Sequence, residues 1–173
     1  MRASRTTATG IHLAGSAVQS VCLVRQGRGV RLVEAAWEPL HRAVDPVLLG
    51  GHWGRPALVE SLAAVRRRLP AELGTVTVGL GHGGYLLKLP VLPYPHGSGW
   101  WQARRNAAHL RWEMDLVLGD QGPEYLSDLA FAGERGLVVA AREKLLDAYA
   151  GVCGQAGLPE PRFDVEALAL YNI

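Results

Sequence analysis

Cysteine is scarce in this chain. Only Cys22 and Cys153 occur, and neither belongs to a CxxC pair, so the usual structural zinc module is excluded. Each lies in an apolar run, one strand-like and one helix-like, so both read as small buried hydrophobes. Nothing here calls for an oxidising compartment. An excess of one charge is missing too. The 18 Lys and Arg are nearly balanced by 16 Asp and Glu, a formal charge of +2, which is too mild to argue for nucleic acid. No window approaches the ~18 unbroken apolar residues of a membrane span. The basic opening MRASRTTATG is not followed by the apolar core of a signal peptide. These absences predict a cytoplasmic chain without direct membrane insertion.

The common catalytic signatures are absent as well. There is no GxxxxGK[ST], no HExxH and no GxSxG. The six histidines, at 12, 41, 52, 82, 96 and 109, do not fall at ligand-like spacing. His82 sits in a GHGG turn with no obvious acid or nucleophile beside it. Pairs such as Glu113 and Asp115 read as solvated charges. No catalytic residue and no metal site are expected.

What is present suits a soluble domain of 173 residues, with 49% hydrophobic and 20% charged residues. Strands are predicted over 8–14 and 17–25, joined by Gly15-Ser16. A third strand, 30–40, follows the turn QGRG. A helix is predicted over 56–69. Pro56 opens it, Leu58, Leu62, Val65 and Leu69 share one face, and the arginines 66–68 form a solvated last turn. Next come a strand at 74–80, a glycine turn, and a returning strand at 85–92. A helix over 99–118, capped by Ser98, follows. Two more strands precede a helix at 142–156 that stops at Gly157. An extended segment then leads into EALALYNI, the start of another helix. Trp53, in a glycine-rich loop, is expected to plug the sheet. This mixed order means α/β or α+β.

Trp100 and Trp101 open the 99–118 helix, with Arg104 just behind. Neighbouring helix residues point about 100° apart, so both tryptophans cannot face the core. Trp and Arg dominate binding hot spots, and these three are the candidate partner-binding residues.

Several stretches, in order, resemble one family. GIHLAGSAVQ at 10–19 is similar to the G-I-D-I-G-S-S-S-V-K strand and turn that opens PilM-type proteins. These are actin-like components of type IV pilus and competence machinery, related to the cytoplasmic part of the type II secretion L protein. EAAWEPL at 34–40, VTVGLGHGGYLLKLPVLP at 76–93 and RNAAHLRWEMDLVL at 105–118 resemble later family segments. The last of these keeps Arg111, Trp112 and Glu113. GLVVAAREKLLDAYAGVCGQAGLPEPRFDVEALAL at 136–170 matches most closely.

The resemblance covers nearly the whole chain and implies a fold. It implies an α/β actin-like (ribonuclease H-like) half, residues 8–73 plus 142–173, with a small SHS2-like α+β subdomain inserted at 74–141. It also implies a scaffold peripheral to the inner membrane, bound to the cytoplasmic tail of a PilN-type protein. No nucleic acid is expected, and self-association is allowed. In actin-like ATPases the first hairpin is a phosphate loop, with an aspartate that helps to hold Mg²⁺ and a nearby basic residue. Here those positions are His12 and Gln19, and the first glycine position is Ala14. Gly15, Ser16 and Gln19 would be the residues to touch a nucleotide if one bound, but no cofactor is expected. The alternatives are an ATP-binding actin-like ATPase, or the cytoplasmic module of a type II secretion L protein.

Overall fold

In a computed structural model the chain is described over residues 5–41, 43–45, 54–94, 99–132 and 134–166. The elements run β1 (Arg5–Ala14), β2 (Ala17–Gln26), β3 (Gly29–Pro39), α1 (Arg55–Arg68), β4 (Thr75–Leu80), β5 (Leu86–Lys88), α2 (Trp100–Leu118), a 3-10 turn (Gly119–Glu124), β6 (Tyr125–Ala132), β7 (Arg135–Arg142), α3 (Glu143–Gln155) and β8 (Arg162–Val165). Among the described residues the expected strands and helices are found, most within one or two residues of their ends. The expected roles of Ser98 and Trp53, and all but the first residue of the last helix, lie outside the described residues.

Two compact units form, Met1–Gly84 with Leu145–Ile173, and Tyr85–Lys144. The division falls between Gly84 and Tyr85, whereas the resemblance puts it at 74. The GHGG turn suggests that the strands on either side of it pair with each other, and they do not. Strand β4 pairs in parallel with β1, from Ala8↔Thr75 to His12↔Gly79. Strand β5 pairs with β7 in the other unit.

The first unit holds a mixed five-stranded sheet in the order β3-β2-β1-β4-β8. Alternation along each strand separates two faces. One face carries the cross-strand row Ala36–Ser20–Ile11–Val78–Phe163, within a core that includes Val18, Cys22, Val76 and Leu80. Helix α1 packs on β2 and β3 and buries Leu58, Leu62 and Val65, with Leu69 just beyond it. Tyr149 of α3 lies 6.3 Å from Phe163, ring to ring. Both cysteines are free and buried. Gly157, at φ 76°, ends α3. The Leu158 amide donates back to the Cys153 carbonyl at 3.0 Å, which closes a Schellman-type cap.

The arginine run does more than crown a helix. Arg68 donates to the carbonyls of Trp37 and Ala35 at 3.4 and 3.5 Å and lies 3.6 Å from Glu34. It thereby occupies acceptors on β3, the edge of the sheet, where open backbone groups invite unwanted pairing. Arg66 donates to the carbonyls of Gly157, Pro70 and Ala71.

The second unit is a three-stranded antiparallel sheet, β5-β7-β6, carrying α2. Leu92, Leu110, Met114, Val138 and Ala140 form its core. At Gly136 a Cβ would collide with the Leu110 side chain, so glycine lets α2 settle on β7. Asn106, only 1% exposed, accepts from the Tyr94 amide at 3.2 Å and donates to the Tyr94 carbonyl at 3.0 Å. One side chain thus satisfies both backbone groups of a residue in the loop before the helix. Replacing Asn106 with alanine orphans that pair, and should destabilise the protein by about 1–3 kcal/mol, measured by denaturant unfolding. An unchanged midpoint would refute this role.

Burial pushes the Tyr149 hydroxyl up to about 12 and the Cys153 thiol up to about 11. The folded chain keeps both protons at a pH where the unfolded chain, with ordinary values of 10.0 and 9.0, releases them. Their contribution to stability is complete below pH ~9 and is lost as pH rises through the folded values. The melting temperature should fall across that window, and Tyr149→Phe should flatten the fall. Equal steepness in the variant would contradict the assignment.

Candidate functional site

The other face of the five-stranded sheet holds the site. Cross-strand partners place Trp37, Gln19, His12, Gly79 and Asp164 in a single row across all five strands. The next row holds Ala35, Val21, Gly10, Thr77 and Arg162. Side chains are small in the middle, at Gly10 and Gly79, and larger towards the edges. An open cleft of about 410 Å³ results, lined by Gly10, His12, Gln19, Gly79, Asp164 and Glu166 among others. The apolar part of this face, with Val21, Leu32 and Trp37, is exposed.

Asp164 of strand β8 and Glu166 just past its end supply the acids. His12 Nε2 lies 4.0 Å from a carboxylate oxygen of Glu166. Asp164 Oδ1 accepts from the Val165 amide at 2.8 Å, which orients that carboxylate. Among the described residues lining the cleft there is no lysine or arginine.

Of the three residues expected to touch a nucleotide, only Gln19 lines this cleft, directly opposite His12 in the β1–β2 pair. Gly15 and Ser16 form the turn at the strand ends. Their carbonyls accept from the amides of Val44 and Leu40, each at 2.8 Å. A Cβ on Gly15 would sit 3.2 Å from the Val44 carbonyl oxygen, so glycine here serves the close approach of the 40–44 segment.

A metal-free phosphate in the cleft would face two carboxylates, with no lysine or arginine among the described lining residues; hard Mg²⁺ would prefer the oxygens of Asp164 and Glu166 to the imidazole that stands on the first strand. No cluster of three or more His, Cys, Asp or Glu suited to a metal ion occurs among the described residues. Asp164 and Glu166 were missed in the sequence. Their signal was the alternation FDVE, which sends two acids to one side of a short strand.

The expected partner-binding residues lie in the other unit, at the start of α2. Trp100 is 78% exposed and Trp101 46%. Trp101 meets Tyr94 edge-on at 5.4 Å. The guanidinium stacked over Trp101 belongs to Arg105, at 5.6 Å, and it also donates to the Tyr94 hydroxyl at 2.9 Å. Arg104 is exposed. Further along, Trp112 and Leu116 are also exposed, and sequence reasoning did not single them out as a surface. Glu113 turns inward, where Lys88 Nζ donates to its Oε2 at 2.8 Å and to its carbonyl at 3.0 Å. The hydrogen bond from Lys88 holds the Glu113 carboxyl below its ordinary range.

No family model matches the chain, and neither does any curated protein sequence. Solved structures do match. One chain of a PilM–PilN type IV pilus biogenesis complex superposes with a TM-score of 0.69 at 20% identity, over 95% of this chain and 49% of that one. The cytoplasmic domain of EpsL, an inner-membrane component of the type II secretion system of Vibrio cholerae, superposes with a TM-score of 0.51 at 16% identity, over 93% of this chain and 56% of that one. This chain thus spans about half the length of the chains it matches. The chain shares the α/β fold of that PilM–PilN chain, as the motif resemblance implies.

Proposed function

We propose that this chain is a non-catalytic scaffold of a type IV pilus, competence or related secretion machinery. In this reading it binds the short cytoplasmic tail of an inner-membrane partner of the PilN type, and lies at the membrane through that partner. The observation that carries the reading is the fold shared with a chain of a PilM–PilN complex. The altered first hairpin supports the non-catalytic part. His12 and Gln19 replace acid and base, and Asp164 and Glu166 place negative charge where a phosphate would need positive charge. The Tyr85–Lys144 unit is then the SHS2-like insertion. A tail that orders on binding gains its affinity from a few anchors, and Trp100, Trp101 and Arg104 are assigned that role.

The likeness to the EpsL cytoplasmic domain favours a second reading, a module of a type II secretion L protein. Gene neighbours separate the two, since pilus-type genes beside this one support the first.

The test is calorimetry and pull-down with a synthetic N-terminal tail of the PilN-type protein from the same genome. The tail is expected to bind, and alanine at Trp100, Trp101 and Arg104 together to weaken it by at least about tenfold. Unchanged affinity in the triple variant would remove these residues from the site. A tail that fails to bind at all would remove the partner.

A further inference from the structure

Helix α2 has two faces of different character. Asn106, Leu110 and Met114 are buried. On the opposite side, Trp101, Ala108, Trp112 and Leu116 follow one another at helical spacing, which leaves an apolar stripe pointing outward. Trp112 is 54% exposed and Leu116 61%. At 100° per residue, Arg104 and Arg111 flank the stripe on one side and His109 on the other, while Arg105 falls between Trp112 and Leu116 around the helix. His109 stacks on Trp112 with the rings 5.9 Å apart. Of the two carboxylates in the helix, Glu113 is held by Lys88. Asp115 lies on the outer arc, one turn beyond Arg111. Three arginines therefore face one acid around an exposed aromatic ridge.

We propose that this outer face of α2 docks on the surface of an anionic lipid bilayer. The charge of this face matches that occupant. Arginines beside the stripe meet anionic headgroups, while tryptophan and leucine enter the boundary between headgroups and acyl chains. Arginine stems can lie along apolar surface while their heads stay wet. Binding through one such face is weak and reversible. It adds to any tether that a membrane-anchored partner supplies, by raising the effective concentration at the surface. The proposal does not depend on the identity of that partner.

The test is co-sedimentation of the full chain with vesicles of phosphatidylcholine alone, or of phosphatidylcholine mixed with phosphatidylglycerol, at low and high salt. The chain is expected to bind the mixed vesicles at low salt, with a blue shift of tryptophan emission, and to release them at high salt. Binding to phosphatidylcholine alone should be negligible. The double variant Trp112→Ser with Leu116→Ser should lose at least about tenfold in partitioning, and Arg111→Gln should lose several-fold. These residues are exposed, so melting temperatures should stay unchanged and serve as the folding control. No binding to the mixed vesicles, or equal binding by the double variant, would overturn the proposal. So would a double variant that binds vesicles normally but loses the partner tail, which would give the stripe to a protein. Because Trp101 and Arg104 border both surfaces, Trp100→Ala, at a residue that lies off the stripe, tests the tail assignment by itself, and the Trp112/Leu116 double variant tests this one.

Discussion

The register of β1 is the constraint on which the first unit depends. This strand lies at the centre of the five, antiparallel to β2 and parallel to β4. Its side chains alternate, so Ile11 and Leu13 enter the core while Gly10 and His12 face the cleft. A slip of one residue would exchange the two sets. It would bury an imidazole and expose two core side chains, at a cost no surface contact offsets. The same pairing fixes what stands beside His12. Gln19 and Gly79 are its direct partners, and Asp164 follows next to Gly79. The chemistry of the cleft is therefore decided by sheet pairing, not by a loop that could rearrange.

In the second unit the corresponding constraint is the seating of α2. Gly136 allows close approach, Leu110 and Met114 fill the core, and Asn106 ties the preceding loop to the helix. Once that inner face is committed, helical geometry leaves the outer tryptophans no route inward. Their exposure follows from the packing beneath them. The Lys88–Glu113 pair removes the one acid nearest the packed side from the outer surface, so Asp115 is the remaining acid of α2 beside the arginines.

Much of this fold was legible in the sequence. The β-meander, the apolar face of α1, the stop at Gly157 and the burial of both cysteines follow from period, capping and burial rules that act locally. The boundary of the inserted unit was not legible, because GHGG looks like a hairpin turn and only long-range pairing shows that β4 belongs with β1. Of the site, His12 and Gln19 were visible through the first hairpin. Asp164 and Glu166 were hidden because β8 is four residues long and reaches the cleft only through its pairing with β4. Arg68 was hidden for a related reason. A basic helix end looks solvated until the carbonyls of the edge strand are placed beside it.

The cleft on this sheet is lined by His12, Gln19, Asp164 and Glu166, with no lysine or arginine among its described residues. A calorimetric titration of the full chain with ATP and Mg²⁺ tests the non-catalytic reading most directly. The account predicts no measurable binding up to millimolar nucleotide. Micromolar affinity that is lost on changing Gln19, Asp164 or Glu166 would contradict it and restore the cleft as a working nucleotide site.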